Sequence, residues 1–314
     1  MEKKTFKEKF KRFKKNFIRD RQLYVMITLP SILFVLFVYG PMYGVQIAFR
    51  DYRVADGITG SAWVGLKWFK DFLSDPRFGE IFLNTIALSL YSLAVFPLAI
   101  ILALIFNAVT NKRYVKTVQT ISYMPHFIST AVFVSIIEMV LSPVVGIYGN
   151  VYRLFGGIGL PPDFRTAAEA FRHIYIWSGV WQGEGWATVL YTSALAGVSL
   201  ELHEAAKIDG ASRFKRILYV DWPAIKPTAS LMLILRIGGL ISVGFEKAYM
   251  MQGTLNLRTS EIISTYVYKK GMKDFRGFSY GTAVSLFNSA LNITLLLIAN
   301  AISKKMSEDE VSLF

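Results

Sequence analysis

Hydrophobic residues gather into six long blocks, Leu23 to Ala48, Ile81 to Ala108, Thr117 to Leu141, Ile174 to Val198, Pro227 to Phe245 and Tyr280 to Ile302, separated by charged segments. At a rise of about 1.5 Å per residue, about 20 residues cross a hydrocarbon core about 30 Å thick. The fifth block only just reaches that length. Within a bilayer the backbone must satisfy its own hydrogen bonds, which allows helices or closed barrels. Unbroken runs such as Leu98 to Phe106 lack the alternation of barrel strands. The pattern predicts an all-α integral membrane fold of six transmembrane helices over 23–302. Pro30, Pro41, Pro97 and Pro125 fall within or near the spans, where neighbouring helices tolerate kinks.

Charge orients these helices, because Lys and Arg concentrate in cytoplasmic loops. With both termini cytoplasmic, segments 1–22, 109–116, 199–226 and 303–314 hold 20 basic residues in 70 positions. The outer segments 49–80, 142–173 and 246–279 hold 14 in 98. The formal charge of +13 then reflects topology and affinity for anionic lipid, rather than nucleic acid. The first block is longer than a signal-peptide core and reads as a retained anchor. In the basic segment 1–22, Phe6, Phe10, Phe13 and Phe17 share one helical face, as in a helix lying along the inner membrane surface. Residues 303–314 form a cytoplasmic tail.

The chemistry of most enzymes is missing. Cysteine is absent, excluding disulfides and thiolate chemistry. His126, His173 and His203 fall on the third span, an outer loop and an inner loop, so they do not converge on a metal. Gly156-Gly157-Ile158-Gly159 lacks the Lys and Ser or Thr of a phosphate-cradling loop.

The segment between the fourth and fifth spans reads as two short helices with a break. Ser199 and Ser212 are placed to cap them, Glu201 suits the first helix's positive end, and Gly210 supplies a left-handed stop. Ala205 and Ala206 let another chain approach closely. Glu204, Ala205, Ala206, Gly210 and Pro223 stand at the spacing of E-A-A, three residues, G, nine residues, I-x-L-P. This resembles the cytoplasmic motif of permease subunits of binding-protein-dependent ABC importers. Val220 replaces the usual Ile, and Trp222 the usual Leu. Pro41-Met42-Tyr43-Gly44, Trp63 to Phe69, Asn84-Thr85, Gln119 to Ser129 and Ile208 to Arg213 resemble the carbohydrate-uptake group, especially its oligosaccharide and polysaccharide-type members.

That resemblance implies a type I importer permease fold in a bacterial cytoplasmic membrane. It also implies pairing with a second permease, two ATPase copies that bind ATP and Mg, and an extracellular sugar-binding protein. The loop would be a coupling helix seated in the ATPase, with Glu204 facing a basic group there and Asp209 as a secondary candidate. This chain itself would catalyse nothing. For the substrate path, ionisable residues at bilayer depth offer Glu138, Glu184, Arg236 and the borderline Glu246. Trp181, Gln182, Glu184 and Tyr191 combine aromatic faces with hydrogen-bonding groups on one span, and Trp177 suits an interfacial belt. Asn84 and Asn288 add amides, although amides also join helices. A different class, an ion-coupled secondary transporter, would share the buried carboxylates, but no internal repeat is evident and the Glu204 loop would have no role.

Overall fold

The computed structural model describes residues 16–273 and 277–306. The predicted amphipathic face from Phe6 to Phe13, and residues 307–314 of the tail, lie outside them. A helix over Arg21–Phe49 (α1) leads into a two-stranded antiparallel hairpin, β1 (Arg50–Arg53) and β2 (Ser61–Trp63). The chain is mostly helical, as predicted, and this short hairpin is the departure from an all-α chain. Arg50 pairs with Trp63, and the Arg50 guanidinium spans the turn to the carbonyls of Thr59 and Ser61.

Helices follow over Lys67–Leu73 (α2), Phe78–Ala94 (α3), Pro97–Ala108 (α4), Lys112–Tyr123 (α5), Thr130–Val140 (α6), Ile147–Leu154 (α7) and Ala168–Ala196 (α8). Beyond them lie Leu200–Ile208 (α9), Arg213–Arg216 (α10), Trp222–Gly238 (α11) and Phe245–Met250 (α12). Leu257–Ser260 (α13), Ile263–Lys273 (α14) and Gly277–Met306 (α15) complete the order.

Among the described residues, three helical stretches are long and apolar enough to cross a membrane: Arg21–Phe49, Phe78–Ala108 and Gly277–Ile302. A fourth is added if α5 and α6 count as one broken span, bent by 105°. The bend has a local cause. Pro125 sits in a 3-10 turn, and Ser129 is extended before α6 restarts. The fourth predicted block is helical as far as Ala196 but carries more polar residues. The fifth stops at Gly238, and the chain leaves helical geometry until Phe245.

Three apolar clusters hold the bundle together. Leu88, Val134, Phe171 and Ala248 form one, Phe96, Ala103, Tyr191 and Ile225 the second, and Phe72, Ile81, Tyr266 and Val284 the third. Helix α8 threads the first two. A Cβ at its Gly185 would lie 2.1 Å from the Ser122 carbonyl, so only glycine lets α5 approach this closely. Helix α1 packs onto α15 near its C-terminal end, and its apolar stretch before Ala48 contains no buried residue.

Candidate functional site: the coupling loop and the membrane path

The predicted stops and starts between α8 and α11 are present. The Ser199 hydroxyl accepts from the Glu201 N–H at 3.2 Å, and the Ser212 hydroxyl from Lys215 at 3.3 Å. At the end of α9, Gly210 adopts φ of 74°, and its N–H donates to the Lys207 carbonyl. Ala211 donates to Ala206, completing the paired hydrogen bonds of a Schellman C-cap. Helix α10 then runs through a π turn, Ile217–Asp221, directly into α11.

What α9 presents to solvent is unusual for a free surface. Glu204, Ala205 and Asp209 are exposed, flanked by Leu200 at 77%, Leu202 at 57% and Ile208 at 86% exposure. Across the break Phe214 and Tyr219 are also exposed. Apolar groups clustered around acidic ones on a short capped helix have the make-up of a protein-docking surface.

A contact not anticipated from the sequence anchors this helix. Asp221, 3% exposed, accepts from Asn107 Nδ2 at 3.0 Å, and His203 Nε2 lies 3.3 Å from the same oxygen. One carboxyl thus joins α9, the end of α4 and the start of α11. Burial pushes this carboxyl above the usual carboxylate range, against the opposing pull of His203 and Arg216. The available signal was an acid between the apolar Val220 and Trp222 at the edge of a span.

The path candidates do not converge on one place. Glu184 and Arg236 pair at 3.5 Å inside the bundle, and Arg236 also donates to the Ser92 carbonyl and hydroxyl. Glu184 Oε2 is buried and has no hydrogen-bond partner. Tyr191 is buried in the cluster around Ala103. Gln182 donates to the Ile128 carbonyl at 3.3 Å, and Trp181 lies half exposed against Phe133. Glu138 pairs with Arg165 at 3.8 Å, whereas Glu246 is exposed.

Asn84 is committed to joining helices. Its amide donates to the carbonyls of Arg258 and Glu261 and accepts from Arg172. Asn288 stands apart from these, beside a cavity of about 550 Å³ between α14 and α15. Phe245, Tyr268 and Phe278 supply rings there, and Ser264, Thr282 and Asn288 supply polar groups. Ser264 Oγ and Asn288 Oδ1 are buried without hydrogen-bond partners.

Residues 77–308 match the family of binding-protein-dependent transport system inner membrane components. The chain is 40% identical over 306 residues to the polygalacturonan/rhamnogalacturonan transport system permease protein YteP of Bacillus subtilis (strain 168), covering 97% of this chain and 94% of that relative. A crystal structure of a bacterial ABC transporter involved in the import of the acidic polysaccharide alginate superposes with a TM-score of 0.84 and 34% identity. That match covers 95% of this chain and all of the other. A second alginate transporter structure, in complex with an alginate pentasaccharide-bound periplasmic protein, gives a TM-score of 0.83 at 34% identity, covering 94% of this chain and 98% of the other. With the family match spanning most of the chain, and with the exposed capped helix that carries the motif, the chain belongs to the binding-protein-dependent transport system inner membrane components.

Proposed function

We propose that this chain is the permease subunit of an ATP-driven ABC importer that moves an acidic oligosaccharide across a bacterial cytoplasmic membrane. The observation that carries the reading is the α9 surface. Glu204 and Ala205 are presented to solvent on a helix fixed at both ends, while the family supplies the class of machine. Glu204 meets a basic group of an ATPase subunit, Ala205 and Ala206 allow close approach, and Gly210 ends the helix. ATP hydrolysis resides on that partner, and no residue of this chain acts as acid, base or nucleophile.

The cargo class rests on the relatives, one named for polygalacturonan and rhamnogalacturonan, another for alginate. The path runs beside the cavity of Asn288, where rings suit the C–H faces of a sugar and unpaired polar groups suit its hydroxyls. Six spans with both ends cytoplasmic place α9 on the ATPase side. A second permease completes the path, and an extracellular binding protein delivers the saccharide, as the periplasmic protein in the alginate complex suggests by analogy.

The test is affinity purification of this chain from its native membrane, with mass spectrometry of what accompanies it. An ABC ATPase and a second permease are the expected companions. A chain that purifies alone and supports ion-coupled uptake in liposomes overturns the proposal.

A further inference from the structure

Behind α9, on the side where His203 and Lys207 stand, lies a cavity of about 720 Å³ bounded by the ends of α4 and α8 and by α10. Its walls carry four permanent cations, Lys112, Lys207, Arg213 and Arg216, contributed by three separate helices. One acid, Asp221, reaches it, and that carboxyl is already engaged by Asn107 and His203 and lies within electrostatic reach of Arg216, which leaves one carboxyl against four cations. Arg216 Nε is buried with no hydrogen-bond acceptor. An N–H held in this state calls for an oxygen acceptor, and burial without one costs about 1–3 kcal/mol; a guanidinium among other cations is best matched by an oxyanion that offers it two oxygens.

The position narrows the source of that anion. Helix α4 closes a stretch apolar enough to cross a membrane and ends at Ala108, and α8 ends beside it at Ala196, so the cavity sits at the end of a membrane-length helix, the depth at which phospholipid headgroups lie. Leu195, Val198 and Ile217 add apolar wall beside the cations.

We propose that this cavity binds a phosphate group, supplied by the headgroup of an anionic phospholipid or by a soluble phosphate. Bound there, the phosphate bridges Lys207 of α9 to Arg213 and Arg216 of α10 and to Lys112 of α5. It thereby fixes the coupling helix against the bundle from behind, on the side away from Ala205.

The experiment uses the whole assembly with its partner subunits, reconstituted in phosphatidylcholine with or without phosphatidylglycerol, and read by native mass spectrometry after detergent extraction. The wild-type assembly should retain phosphatidylglycerol, and the double variant Arg213→Gln, Arg216→Gln should retain about tenfold less, the equivalent of one charge-assisted hydrogen bond. Arg216→Lys, which keeps the charge, should recover part of that loss. Displacement of the lipid by millimolar inorganic phosphate, or phosphate binding without lipid, assigns the site to a soluble phosphate; resistance to phosphate assigns it to the headgroup. If the double variant does not assemble, Lys112→Gln at the exposed rim should show the same loss at smaller amplitude. Equal lipid retention by assembled wild type and variants, together with no phosphate binding, overturns the proposal.

Discussion

Two carboxylates at opposite ends of the 29-residue helix α8 are handled in contrasting ways. Near Ala168, Glu261 is 4% exposed and takes Arg77 at 2.9 Å and Lys269 at 3.0 Å, while its own carbonyl accepts from Asn84. Asn256 beside it is fully engaged as well, donating to the Arg165 and Met251 carbonyls and accepting from Gly253 and Ser260. Beyond Ala196, Glu204 stands in solvent among exposed Leu200, Leu202 and Ile208. The first end satisfies the Glu261 carboxylate and the Asn256 amide internally, which fixes how α3, α8, α13 and α14 meet. The second end is stabilised locally by caps and leaves its apolar and acidic groups in solvent, the surface proposed for docking. Substitutions at the first should therefore be read in stability, and at the second in assembly.

Glu204→Lys should give the largest effect. Reversing a charge at a protein interface costs about 2–5 kcal/mol, a loss of at least about 30-fold in ATPase binding. Because the residue is exposed, folding and membrane insertion should be unchanged, as checked by co-purification of the ATPase and by thermal unfolding in detergent. A destabilised chain that still binds the ATPase would erase the contrast between the two ends.

Glu261→Gln should show the opposite signature. Removing one member of a buried ion pair costs about 3–5 kcal/mol, and the partial exposure of Arg77 and Lys269 reduces this to about 2 kcal/mol. For a chain of this size that lowers the unfolding temperature by about 4 °C, with ATPase binding intact. Equal losses of stability and of binding would mean that the two ends are coupled through α8.

Gly210→Ala comes next. A non-glycine residue held at positive φ costs about 1 kcal/mol, and here the strain falls on the cap that ends α9. Proteolysis at 209–212 should accelerate several-fold, and ATP hydrolysis should become less dependent on transport. An unchanged cleavage rate would show that the cap does not hold the loop.

How far the sequence reveals these two ends follows from the range of the interactions involved. The caps at Ser199, Ser212 and Gly210 act over three or four residues, so their spacing is visible in the chain. The apolar blocks likewise read as helices. The roles of Asn84 and Asp221 were not visible, because Asn84 meets Arg172, Arg258 and Glu261, and Asp221 meets Asn107 and His203, across long separations in the chain. Pro125 signalled a kink, but the 105° bend also needs the extended Ser129 and the close approach of α5 to Gly185. The β hairpin was hidden because its strands are only four and three residues long.

The smallest effect is expected at Asp163, near the Glu261 end but only partly buried. Arg165 donates to both its carboxylate oxygens, at 2.8 and 2.6 Å, and this hydrogen bonding holds the Asp163 carboxyl below the usual carboxylate range despite some burial. A depressed carboxylate contributes stability above its unfolded pKa and loses it as the pH falls toward the folded value. Both side chains are about 30% exposed, so screening limits the pair to less than about 1 kcal/mol, or about 2 °C in unfolding temperature. Asp163→Asn should show that deficit at pH 7, and the deficit should shrink once the pH drops below the usual carboxylate range. A deficit as large as that of Glu261→Gln, or one that persists in acid, would show that burial is not what separates the strong ion pairs of this end from the weak ones.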